Sequence, residues 1–207
     1  MDFQLMVALI VFLFPLAYSP GPGNAFFASI GAANGLRAAV PALIGYHAAT
    51  FIVTVMIGMG AGLLFLSEPR VARTLSILGA AYVFWLGYLF LRASMETQAS
   101  RRSSGAPVSI RFADGALILL FNPKAYYIIG LLFTQFLVPP NVGLAAVLSI
   151  TAIFTLNNLV AFVVWTLAGA AIARLFTSEG ANRRVNLLFA LCMIGVGVWM
   201  LIPALTG

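Results

Sequence analysis

The amino-acid sequence predicts an all-α, polytopic membrane bundle of about six transmembrane helices, and three observations carry that prediction. Of 207 residues, 62% are hydrophobic and only 8% are charged, whereas a soluble domain carries about 25% charged residues. The 11 basic and 5 acidic side chains cannot cover a water-facing surface on a chain of this length, so the apolar excess must face lipid. Apolar runs recur at about 3–34, 38–66, 71–93, 112–138, 141–174 and 184–204, and a helix needs about 20 such residues to cross the hydrocarbon core.

Run one begins with a stretch that imitates a leader peptide, with Ala17-Tyr18-Ser19 as a small-x-small site. Its first residues, Met1-Asp2, carry no positive side chain and Pro20 would follow the cut, so residues 3–19 read as a retained helix. The run is too long for one straight span and contains Ser19-Pro20-Gly21-Pro22-Gly23-Asn24. Proline removes a backbone donor and clashes with the preceding turn, so the helix should break there. Runs two and three read as continuous spans. The stretch 94–113 holds most of the Ser, Gln and Arg and reads as a loop rather than a domain. Run four carries Asn122-Pro123-Lys124 and should break as run one does. Runs five and six read as continuous, tilted spans, with the ends of run five emerging from the bilayer.

Orientation follows from arginine placement. The loops after spans one, three and five hold Arg37, Arg92, Arg101, Arg102, Arg111, Arg174, Arg183 and Arg184, against Arg70 and Arg73 on the opposite side. Eight against two assigns the first set to the cytoplasm and both termini to the periplasm.

The whole chain reads as one membrane domain of two halves, about 1–93 and 112–207, joined by a cytoplasmic loop at 94–111. Each half begins with a proline-interrupted span. Gly79…Trp85-Leu86 resembles Gly195…Trp199-Met200, and the stretch from Gly35 to Val40 resembles that from Gly143 to Val147. Three spans per half make the halves inverted repeats, and interruptions at equivalent positions point to a transport site. Gly31…Gly35 and Gly58…Gly62 have the GxxxG spacing of close helix packing.

The net charge of +6 does not indicate nucleic acid. The basic residues sit at segment ends and meet lipid headgroups, with no basic stripe carrying interleaved aromatics. One cysteine, Cys192, allows no disulfide within the chain, and with one histidine no conventional zinc site. Carboxylates are too few and scattered for paired acid–base catalysis. No metal, cofactor or enzyme activity is therefore expected, and the sequence leaves a homo-oligomer open.

Polar groups inside the apolar runs are the candidates for chemistry. The Ser19–Asn24 break frees carbonyls and amides, each costing several kcal/mol in lipid unless protein or water meets it. A helix restarting near Gly23 would aim its positive end at a carboxylate; the competing reading is a plain hinge. No Gly-Lys-Ser/Thr follows, so this is not a P-loop. Lys124 lies ten residues past Asp114, roughly 15 Å into its span at 1.5 Å per residue, where a lysine reads as functional unless it snorkels to the interface. His47, the single histidine, lies equally deep past Arg37 and is a candidate for a proton-coupled step, alongside Lys124, or else a buried hydrogen-bonding group. Asp114 reads as a cap at the start of span four. Gln135 and Asn157-Asn158 read either as site groups or as interhelical hydrogen-bonding groups, with only one of the adjacent asparagines facing a given cavity.

These residues resemble the motifs of a known family. Ser19-Pro20-Gly21-Pro22 looks like a motif of the LysE/RhtB amino-acid exporters. Asn122-Pro123-Lys124-Ala125 followed by Gln135-Phe136 resembles that family's second motif, with Thr134 where a proline is usual. Length, six spans and the central hydrophilic loop match along nearly the whole chain. The resemblance implies export of amino acids or close derivatives from the bacterial cytoplasm across the inner membrane, driven by the proton gradient. Carried over, the motif positions are Pro20, Gly21, Pro22, Asn122, Pro123, Lys124 and Gln135. The combined expectation is a secondary exporter with alternating access, taking its small-molecule substrate at Ser19–Asn24, Asn122–Lys124 and Gln135. The alternatives are a channel-like or structural membrane protein and, more remotely, a membrane enzyme.

Overall fold

The computed structural model describes residues 3–60, 69–95, 110–137, 139, 142–175 and 179–206. Among these residues there are seven helices and no strand: α1 (Phe3–Tyr18), α2 (Pro22–Gly58), α3 (Pro69–Met95), α4 (Phe112–Leu120), α5 (Pro123–Phe136), α6 (Leu144–Leu175) and α7 (Glu179–Thr206). Most of the expected loop at 94–111, and Gly62 of the Gly58…Gly62 pair, lie outside the described residues.

The break in run one falls at Ser19–Gly21. Gly21 is fully extended (φ −174°, ψ 176°) and Pro22 occupies the first helical position of α2, where its missing N–H is harmless. Run four breaks at Phe121–Asn122, and α4 and α5 meet at a 65° bend. Asn122 caps α5, its side chain accepting from the Lys124 backbone N–H at 3.1 Å. Asp114 acts from the third position of α4, where Oδ2 accepts from the Arg111 backbone N–H at 2.7 Å.

The 37 residues of α2 are two helical halves meeting at Gly35 (φ 77°, ψ 175°), a conformation open essentially to glycine alone. The chain folds back there: the Phe27 and Tyr46 rings are 5.8 Å apart, whereas 19 residues of straight helix would separate them by about 28 Å. Gly35 is therefore a corner, not a packing position.

Close approach occurs instead across helices. A Cβ on Gly31 would overlap the Thr166 carbonyl, and one on Gly169 the Ala28 carbonyl. Gly45 and Phe112, and Gly115 and Ala42, repeat the arrangement between α2 and α4. Such small-residue contacts bring backbones together where no hydrophobic force drives helices to associate.

Both halves of α2 pack on α6. The first half crosses it closely, with Gly23 against the Phe162 ring, Ala28 against Gly169 and Gly31 against Thr166. The second runs antiparallel, with His47 beside Asn158 and Gly58 against Val147. α3 packs along α7, with Gly87 against Met193 and Gly197 against Phe84.

α6 is long and apolar enough to cross a membrane, as are the bent α4–α5 pair taken as one span and α2 taken whole, its Gly35 corner included. α1, Ser76–Leu89 of α3 and Leu187–Ile202 of α7 are shorter apolar helices. The outward face is apolar, with Phe3, Val11, Ile52, Tyr127, Leu156 and Trp199 all more than half exposed. The chain is thus a helical membrane bundle.

Candidate functional site

A broken helix leaves its last carbonyls without partners, and the site is built from what meets those of α1. Ser19 N–H donates to the Pro15 carbonyl at 3.1 Å. Ser19 Oγ donates to the Leu16 carbonyl at 3.0 Å. Asn24, on the first turn of α2, reaches back to donate from Nδ2 to the Ala17 carbonyl at 2.8 Å. The carbonyls of Ser19 and Pro20 are met from across the molecule by Lys124.

Lys124 stands on the first turn of α5. Its Nζ donates to the Ser19 carbonyl at 2.8 Å, to Ser19 Oγ at 2.9 Å and to the Pro20 carbonyl at 3.3 Å. An ammonium has three donors, and all three are engaged. The negative end of the α1 dipole adds to the attraction. The sequence-predicted breaks, 105 residues apart, are thereby joined through one side chain.

Gly21 lies against that side chain; a Cβ there would sit 3.0 Å from Lys124 Cδ. Gly21 has no side-chain cap to offer α2, so the buried amides of Gly23 and Asn24 at the start of that helix remain an anion-attracting end. Ser19, Pro20, Gly21, Pro22, Gly23, Asn24, Asn122, Pro123 and Lys124 therefore share one region. Gln135 does not. It is exposed and lies eleven residues, about 16 Å, farther along α5.

His47 connects to this region through groups that hydropathy does not mark. The Tyr46 hydroxyl is in hydrogen-bonding reach of the Asn122 and Asn158 side chains. His47 Nδ1 pairs with the Leu43 carbonyl at 2.7 Å, while Nε2 is buried without a hydrogen bond, beside the Asn158 backbone. The rings of Phe27, Tyr46, His47 and Phe162 pack together at centroid distances of 4.6–5.8 Å. Of the two adjacent asparagines, Asn158 joins this network.

A cavity of about 490 Å³ lies between α2, α6 and α7, walled by Pro20 and Gly21 on one side and by Trp165, Phe189 and Trp199 on others. Its size falls within the range of small-molecule sites. The thiol-bearing residue Cys192, exposed and free, also lines it. Among the described residues no cluster of metal-ligating side chains is present.

Residues 14–203 match the family described as LysE type translocator. The chain is 28% identical over 200 residues to an uncharacterized membrane protein of Vibrio cholerae, covering 96% of this chain and 97% of that one. It is 26% identical over 191 residues to the cysteine/O-acetylserine efflux protein of Salmonella typhimurium, covering 92% and 94%. It is 32% identical over 161 residues to the homoserine/homoserine lactone efflux protein of the same organism, covering 74% and 75%. No solved structure matches the chain.

Proposed function

Because this chain belongs to the LysE type translocator family, whose members move substrates rather than transform them, we propose that it exports amino acids or close amino-acid derivatives from the bacterial cytoplasm. The observation that carries the reading is the meeting of the two helix breaks at Lys124. A cation half-buried beside a helix N-terminus is a natural partner for a carboxylate.

In this state Lys124 is held by the Ser19 and Pro20 carbonyls just past α1. An incoming carboxylate competes for the same three donors with full negative charge, and charge-assisted hydrogen bonds are about twice as strong as neutral ones. Substrate would thus take Lys124 and release the end of α1. Binding would be coupled to freedom of one element against another, as alternating access requires.

The two helix breaks support an arrangement of six spans in two inverted halves. In that arrangement the termini face the periplasm and the chain resides in the inner membrane. Proton exchange through His47 or Lys124 would supply the driving force.

The test is counterflow in proteoliposomes loaded with a panel of labelled amino acids, including homoserine, cysteine and O-acetylserine, under an imposed pH gradient. Saturable, gradient-dependent counterflow of one class supports the exporter. Unsaturable passive flux supports a channel instead. A reporter fused after Gly207 that reads cytoplasmic would overturn the orientation.

A further inference from the structure

The seam between the second half of α2 and α6 carries paired polar side chains in step. From His47 the polar positions on α2 fall three and then four residues on, at Thr50 and Thr54, and Gly58 lies four beyond. On α6, Thr155 and Thr151 fall three and then four residues back from Asn158, and Val147 four beyond. The helices are antiparallel here, with His47 beside Asn158 at one end and Gly58 against Val147 at the other. Steps of three and four keep residues on one helix face. The register therefore sets Thr50 opposite Thr155 and Thr54 opposite Thr151.

Thr50, Thr54 and Thr151 are wholly buried. Elsewhere the helical hydroxyls of Ser29, Thr74, Ser149 and Thr166 satisfy themselves on a carbonyl one turn back, and Thr50 does the same at 2.8 Å. The hydroxyls of Thr54, Thr151 and Thr155, buried in the same kind of helix, make no hydrogen bond, and His47 Nε2 makes none either. A buried polar group without a partner costs about 1–3 kcal/mol, so four along one seam call for a ligand that meets them all.

We propose that this seam binds a file of water molecules that delivers protons from the Gly58–Val147 end to His47, a use that rests on the exporter reading above. The file spans about 16 Å, half the hydrocarbon thickness. Leu43 O accepts from Nδ1–H, which leaves the Nε2 lone pair of neutral His47 beside the Asn158 backbone, at the end of the seam. A water of the file gives its proton to that lone pair and is restored by the next water. The product is an imidazolium whose second N–H points toward the Asn158 backbone. Around it, α6 offers no ionisable side chain before Arg174, and the first half of α2 offers none. Tyr46 is its neighbour on α2, Lys124, Tyr126 and Tyr127 stand on α5, and Asp114 on α4. The Tyr46–Asn122 link leads onward from His47 to the Lys124 region.

The experiment replaces Thr54 and Thr151 together by valine, which keeps shape and removes hydroxyls that have no partner to lose; the Thr54→Ser, Thr151→Ser pair restores them. Radiolytic hydroxyl labelling, which marks buried side chains beside bound water, should mark His47 and Tyr46 in the wild type, lose that mark in the valine pair and regain it in the serine pair. In proteoliposomes the valine pair should lose proton movement coupled to labelled homoserine while retaining homoserine counterflow. Unlabelled His47 in the wild type, or identical labelling and proton movement in the valine pair, overturns the file. If the labelling pattern holds but the wild type moves none of the amino acids tested, the exporter reading fails and the water site stands.

Discussion

Lys124 Nζ lies 2.8 Å from the Ser19 carbonyl oxygen, and this contact joins the end of α1 to the start of α5. Both residues sit at helix breaks that proline creates, so neither the free carbonyl nor the clustered donors would exist in unbroken spans. The position of Lys124 is thus a consequence of two separate sequence features that only the fold brings together.

Asn24→Leu should lower thermal stability in detergent by about 1–3 kcal/mol, because it keeps side-chain bulk but leaves the Ala17 carbonyl buried and unmet. An unchanged melting temperature would show that this carbonyl finds another partner.

Gly35→Ala should destabilise by about 1–3 kcal/mol through the backbone alone. Nothing lies within 4 Å of the position a Cβ would take, so φ of 77° is the sole source of strain. Thermal melts of the purified variant check it.

Gly31→Ala and Gly169→Ala should each cost about 1–3 kcal/mol by forcing α2 and α6 apart. Gly130→Ala, in α5 with nothing within 4 Å, is the matched control and should be neutral or stabilising by up to about 1 kcal/mol. Equal melting temperatures for all three would contradict the crossing.

A bulky maleimide on Cys192, the single cysteine, should block transport by filling the cavity it lines. Saturating homoserine should slow the modification if the substrate occupies that cavity. Cys192→Ala should transport normally and resist the reagent.

The breaks were legible because proline's missing donor acts locally, and Lys124 because a charge in an apolar run stands out whatever surrounds it. The reversal at Gly35 was legible as the gap between runs one and two, flanked by Asn34 and Arg37; that a single positive φ makes it without a loop was not, so Gly31…Gly35 reads as a packing motif. Tyr46 and the threonines of the seam were silent as well. Threonine is nearly neutral in hydropathy, and the alignment of Thr54 with Thr151 depends on a register between helices that neither helix encodes alone. Gln135 shows the opposite failure. It stands near Lys124 in the chain's motif order, yet α5 carries it about 16 Å away, to an exposed position.

The central claim is that Lys124 takes the substrate carboxylate, and the direct measurement is concentration-dependent counterflow in proteoliposomes of the wild type, Lys124→Met and Lys124→Arg, using whichever labelled amino acid the wild type carries. Hydrogen bonds to charged groups contribute about 1.5–3 kcal/mol, so Lys124→Met should weaken half-saturation by about 10- to 100-fold, with Lys124→Arg recovering part of the loss. Saturable counterflow in Lys124→Met with the half-saturation of the wild type would contradict the account.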